Sequence, residues 1–136
     1  ELERYKNNNK IPKNVSFYIR PENIQTYFER SFIVLNLSLP TTCVETFGLS
    51  LLEGMAFGTP VISPPVGGPV EFVNSSNGCL VDSRETQKIV EFILHLNSSF
   101  DVWNTYSHEA FSTSKLFTAQ EYQKSFRAYF KQNELV

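Results

Sequence analysis

Cysteine is scarce in this 136-residue chain. The two present, Cys43 and Cys79, match neither a zinc-ligand spacing nor a CxxC redox pair, so they read as free, inert thiols. Long apolar runs are missing as well. No segment approaches the roughly 20 residues that cross a bilayer, and the opening ELERYKNNNK lacks the hydrophobic stretch of a signal peptide. A cytoplasmic location is the expectation, with membrane-peripheral attachment of the full-length protein left open. Basic runs are missing too: the 12 Lys and Arg are scattered, 14 Asp and Glu oppose them, and the formal charge is -2. That gives no electrostatic footprint for a phosphate backbone, and no nucleic-acid partner is expected. No internal repeat or low-complexity tract interrupts the chain.

What is present is an ample core. Apolar residues make up 41% of the chain, with 12 Phe and 6 Tyr, enough for one globular domain or part of one. Four Asn-x-Ser triplets begin at Asn14, Asn36, Asn74 and Asn97. They read as chance in a chain rich in both residues, and Asn36 falls in an expected core strand where a glycan has no room.

Residues 15–19 (VSFYI) form a short β-rich run stopped by Pro21, and residues 22–30 place Ile24, Tyr27 and Phe28 on one helical face. The run FIVLNL over 32–37 has the nearly unbroken apolar character of a strand buried on both faces of a parallel sheet. From Gly48 to Phe57 the spacing of Leu49, Leu52, Met55 and Ala56 predicts a buried helix, closed by Gly58-Thr59-Pro60. A third strand follows at 61–63, a rigid turn at 64–68, a helical turn at 69–73 and a fourth strand at 79–82. Residues 83–96 predict a helix capped by Ser83 with Ile89, Val90, Ile93 and Leu94 inward. Two more helices are expected at 100–110 and 118–132. Strands alternating with helices make the fold class α/β, a parallel sheet with helices on both faces and ligands at the carboxyl ends of its strands.

The stretch VETFGLSLLEGMAFGTP sits at that edge. The helix starting near Phe47 turns free N–H groups and the positive end of its dipole toward the loop after the second strand, which favours a phosphate. Gly48 lets a phosphate approach the backbone. Glu53 lies about a turn and a half into the helix, and its two acceptor oxygens suit the 2′,3′-diol of a ribose. Glu45, eight positions earlier, sits where it can accept from hydroxyls beyond the diphosphate. The alternative is that both acids only favour the first helical turns through the dipole, at about 0.3 to 1 kcal/mol each.

The segment ETFGLSLLEGMAFGTPVISPPVGGPVEFV, continuing through NGCLV, resembles the C-terminal domain of retaining, nucleotide-sugar-dependent glycosyltransferases with two facing Rossmann-like domains, the GT-B fold (glycosyltransferase group 1, or family 4, type). Their pattern E-x-F-G-L, a second Glu, Gly-Thr-Pro-Val, Gly-Gly and Glu is matched by Glu45, Phe47, Gly48, Leu49, Glu53, Gly58, Thr59, Pro60, Val61, Gly67, Gly68 and Glu71, with Asn77 and Gly78 beyond. The resemblance spans roughly residues 14–96.

It implies a hexosyltransferase whose donor, a nucleoside diphosphate sugar, is held by the ribose on Glu53, by the distal phosphate on the backbone of Thr46, Phe47, Gly48 and Leu49, and by the sugar on Glu45 as catalytic residue. It implies no metal and no cofactor besides that donor, because the leaving diphosphate itself assists the reaction. In the family an Arg and a Lys on the diphosphate come from an upstream strand–helix unit, and further groups from an N-terminal domain. With the usual order 3-2-1-4-5-6, this chain supplies strands three to six and leaves a gap where one and two belong. The isolated chain is therefore expected to be inactive, with self-association through an exposed sheet edge as one consequence. One departure is that Pro40-Thr41-Thr42 stands one residue further from Glu45 than the family's Pro-Ser.

Other candidates are weaker. Arg20 and the Gly67-Gly68 pair read as a solvated side chain and a tight turn, Cys43 with His95 or His108 carries no nucleophile geometry, and Trp103, Phe111, Phe117, Tyr122, Phe126, Tyr129 and Phe130 read as packing. The acceptor is undetermined. Two rival functions stay open: a non-catalytic binding or assembly module, and a sugar-nucleotide epimerase of the same two-domain architecture.

Overall fold

Val61 and Ile62 are neighbours in sequence that bury on opposite faces of one sheet, and this alternation organises the molecule. In a computed structural model, which describes residues 2–132, three parallel strands stand in the order β1 (Val34–Leu35), β2 (Val61–Ser63), β3 (Gly78–Leu80). Val34 pairs with Val61, and Ile62 with Cys79. On one face Val61 joins Leu51, Leu52, Met55, Phe72, Val73 and Ala110; on the other Ile62 joins Val81 and Ile89. The helices are α1 (Leu2–Asn8), α2 (Gln25–Phe28), α3 (Leu49–Ala56), α4 (Thr86–Leu96), α5 (Phe100–Ser114) and α6 (Ala119–Gln132). Helix α5 lies against both α3 and α4. The architecture is α/β and Rossmann-like, as expected.

Several elements differ from expectation. Residues 15–19 form no strand. Val15 donates its N–H to the Pro12 carbonyl at 3.1 Å, and Val15, Phe17, Tyr18 and Ile19 are exposed. A strand exists only through a ladder, and among the described residues no strand pairs with this run, whose Phe17 and Tyr18 meet Tyr5 and Tyr27 instead. β1 is likewise shorter than the apolar run 32–37, because it is an edge strand: Leu35 and Leu37 are 43% and 45% exposed. Ser83 does not cap α4, which starts at Thr86; its hydroxyl donates instead to the Ser38 carbonyl, tying the loops after β3 and β1 together. The inward face of α4 is Ile89, Phe92, Ile93 and Leu96, while Val90 and Leu94 turn outward. In α2 only Phe28 is buried. In α3, Leu49 and Ala56 face outward while Leu51, Leu52 and Met55 are buried.

Trp103 packs as expected, stacked on Phe32 at 6.1 Å with its Nε1–H donating to the Phe32 carbonyl at 2.8 Å. The aromatics further along do not form a core. Phe117 reaches one through Phe72, but α6 buries no residue, and Phe126 and Phe130 meet each other at 4.5 Å. Both cysteines are free, and burial pushes the Cys79 thiol up, with Lys88 pulling the other way. Among the described residues no helix is long and apolar enough to cross a membrane.

Candidate functional site

The loop after β1 carries the first acid. Asn36 continues the β1–β2 ladder, donating its N–H to the Ile62 carbonyl at 2.9 Å. The chain then turns at Leu39, whose carbonyl accepts from Thr42 and Cys43. That turn absorbs the additional residue noted in the sequence and returns Glu45 to the end of β1, where Asn36 Nδ2 donates to Glu45 Oε2 at 3.0 Å.

The other oxygen, Oε1, accepts from the N–H groups of Phe47 (3.3 Å) and Gly48 (3.1 Å). Glu45 therefore holds the two residues that lead into α3, an anion placed near the positive end of the helix. Gly48 occupies the N-cap position with φ +90°, a left-handed conformation that disfavours any side chain, and its carbonyl receives the Leu51 and Leu52 N–H groups. This distribution differs from the sequence expectation, in which Phe47 and Gly48 were open to a phosphate. Their donors are engaged because a carboxylate two and three residues upstream reaches them first. The N–H groups of Thr46, Leu49 and Ser50 have no acceptor among the described residues. Ser50 is a candidate donor that the sequence reading missed; its signal is its place in the first turn of α3, where backbone donors have no intrahelical partner.

Glu53 lies four residues beyond Leu49, about 6 Å along the axis at 1.5 Å per residue. It is exposed, and its carboxylate has no hydrogen bond or ion pair among the described residues. The two acids thus have different environments: Glu45 half-buried and held by three donors, Glu53 open and uncommitted.

The Gly67-Gly68 turn braces the loop from behind. Gly68 donates its N–H to the Glu45 carbonyl at 3.0 Å. A Cβ on Gly67 would fall onto the Glu45 carbonyl oxygen, and one on Gly68 would lie 2.5 Å from the Phe47 Cα. The glycines are therefore required by close contact between two loops, beyond the tight turn that the sequence suggested. The 3-10 turn Gly68–Glu71 that follows places Pro69 and Phe72 against Gly48.

The remaining candidates stay apart. Arg20 is exposed with φ +47°, and His95 and His108 lie on α4 and α5. A cleft of about 400 Å³ lined by Arg30, Phe32, Phe100 and Trp103 adjoins the start of β1 and includes none of the loop residues above. Among the described residues no three His, Cys, Asp or Glu side chains converge on a possible metal position.

Residues 1–99 match the family described as Glycosyl transferases group 1, a longer span than the 14–96 legible in the motifs. Sucrose-phosphate synthase of Spinacia oleracea is 30% identical over 84 residues, 61% of this chain and 8% of the relative. The chain thus spans a small part of that protein. Among solved structures, the C-terminal domain of the group 1 glycosyl transferase LpcC from Francisella tularensis superposes with a TM-score of 0.62 at 25% identity, covering 79% of this chain and 52% of that one. HepE of Anabaena, solved in complex with UDP-glucose, superposes with a TM-score of 0.58 at 26% identity over 65% of this chain and 24% of that one.

Proposed function

We propose, since the chain belongs to the family Glycosyl transferases group 1, that these residues are the donor-binding part of a retaining enzyme that moves a sugar from a nucleoside diphosphate sugar to a hydroxyl acceptor. The observation that carries this reading is the arrangement at the start of α3: open N–H groups on Leu49 and Ser50, between an engaged carboxylate, Glu45, and a free one, Glu53. The solved complex of HepE with UDP-glucose supports the same class of donor.

The distal phosphate lies on the Leu49 and Ser50 N–H groups, with Thr46 contributing its own, where the helix dipole favours charge. Phe47 and Gly48 act through Glu45, whose carboxylate they fix. Glu53 accepts both hydroxyls of the ribose. Oε1 of Glu45 is spent on the helix, so Oε2 faces the transferred sugar and orients it. In the transfer step the bond from the anomeric carbon to the distal phosphate breaks and its electron pair stays on the phosphate oxygen. The acceptor oxygen bonds to the same face of that carbon, and its proton passes to the departing phosphate. The protein's contribution is to place these atoms and stabilise charge on the leaving group. Acceptor groups come from a second domain outside these residues, so the 136-residue chain alone transfers nothing.

Calorimetric titration of the full-length protein with UDP, GDP and ADP tests this reading. One of the three binds, and Glu53→Ala weakens it about tenfold or more, the order expected for two lost hydrogen bonds to a charged acceptor. Binding of none, or binding indifferent to Glu53, contradicts it.

A further inference from the structure

We infer that Asn36 is a positioning residue for Glu45 and thereby sets discrimination of the sugar half of the donor, an inference that rests on the donor-binding role proposed above. Asn36 is held at three points. Its main-chain N–H belongs to the β1–β2 ladder at 2.9 Å, its Oδ1 accepts from the Ser38 N–H at 3.0 Å, and its Nδ2 reaches Glu45 Oε2 at 3.0 Å. With the main chain held in the ladder and Oδ1 held by Ser38, one Nδ2–H is directed at Glu45.

Glu45 is then gripped at both oxygens. Oε1 takes the two backbone donors Phe47 and Gly48 that lead into α3 and Oε2 takes Asn36, which leaves Oε2 with one lone pair in a defined direction. Without Asn36 the carboxylate keeps its bonds to the Phe47 and Gly48 N–H groups but rotates about them, and the remaining acceptor no longer points one way. The sheet thereby fixes the sugar contact through Asn36, while the nucleotide contacts of Glu53, Leu49 and Ser50 lie on α3 and do not depend on this bond. The residue is polar because its task is polar: an apolar side chain after β1 could neither close the Ser38 turn nor hold a carboxylate.

Asn36→Asp isolates the effect. It is close in shape and keeps an oxygen for the Ser38 N–H, but replaces the donor to Glu45 with a like charge. Asn36→Ala removes both contacts. In titrations of the full-length protein with whichever of UDP, GDP and ADP it binds and with the glucose donor of that nucleotide, Asn36→Asp leaves nucleotide affinity within about twofold of wild type and lowers donor affinity about tenfold or more, with a lower melting temperature at neutral pH. Asn36→Ala gives the same sugar loss, also with a lower melting temperature. An Asn36→Asp protein with the wild-type ratio of donor to nucleotide affinity overturns the inference, as does an equal loss of both. A ligand-free measurement separates this from the donor reading: in a double-mutant cycle by chemical denaturation, the costs of Asn36→Ala and Glu45→Ala are not additive. If wild type binds none of UDP, GDP and ADP while that coupling is present, the donor reading falls and the positioning of Glu45 stands; additive costs overturn the positioning.

Discussion

The Gly48 N–H points at the Glu45 carboxylate across 3.1 Å, so one side chain both holds the lead-in to α3 and faces the proposed sugar position. Stability and activity should therefore separate under substitution. Glu45→Gln keeps a carbonyl oxygen for the Phe47 and Gly48 donors but sets its NH2 against the Asn36 NH2, and should unfold within about 1–2 kcal/mol of wild type. Glu45→Ala removes the acceptor of the Phe47 and Gly48 N–H groups at a cost of about 1–3 kcal/mol. Both should reduce sugar transfer by the full-length protein roughly a hundredfold through loss of orientation. Denaturant unfolding beside steady-state kinetics checks the pattern; full activity in Glu45→Gln would remove Glu45 from the reaction.

Gly67→Ala and Gly68→Ala should damage the site from behind. Each places a methyl group where the Glu45 or Phe47 backbone already stands, and Gly67 has φ +79° in addition. A destabilisation of about 1–3 kcal/mol, as for overpacking, is expected together with loss of nucleotide binding. Thermal melts with and without nucleotide read both effects.

A local acid dependence should appear away from the site. The Arg84 guanidinium hydrogen-bonds Asp82, the Arg84 N–H adds a second bond, and together they hold the carboxyl at about 2 against its ordinary 3.8. Because the folded value lies below the unfolded one, the stabilising contribution is present above about pH 4 and is lost as pH falls from about 4 to about 2. Carboxyl NMR should place the Asp82 midpoint near 2 in wild type and higher in Arg84→Ala, still below 3.8 because the residue-84 N–H keeps its bond. Added salt should raise the wild-type midpoint, since the pair is exposed.

Trp103→Phe offers a control at the other end of β1. It keeps a ring against Phe32 but orphans the carbonyl that Nε1 contacts at 2.8 Å. Stability should fall by about 1 kcal/mol, measured by chemical denaturation, with nucleotide affinity unchanged.

What the sequence made legible follows from how local each signal is. The body of α3, its end at Gly58 and the strand at 61–63 were readable because apolar spacing and a Gly-Thr-Pro stop act within a few residues. The run at 15–19 misled, since β-rich residues become a strand only beside a partner that no local pattern supplies. Val90 and Leu94 misled for a related reason: an apolar residue next to the buried stripe is indistinguishable from one in it until the sheet is in place. Glu45 and Glu53 stood out through resemblance to a family pattern, since their spacing alone equally suits two helix-favouring acids. Asn36 gave no signal. Its bond to Glu45 spans nine residues of irregular loop, and the turn at Leu39 that brings them together has no periodicity to read.

A crystal structure of the full-length protein with a nucleoside diphosphate tests the central claim most directly. The distal phosphate should lie within about 3 Å of the Leu49 and Ser50 nitrogens, with the Glu53 carboxylate on both ribose hydroxyls. A nucleotide bound elsewhere, or one at α3 whose ribose ignores Glu53, would contradict the account.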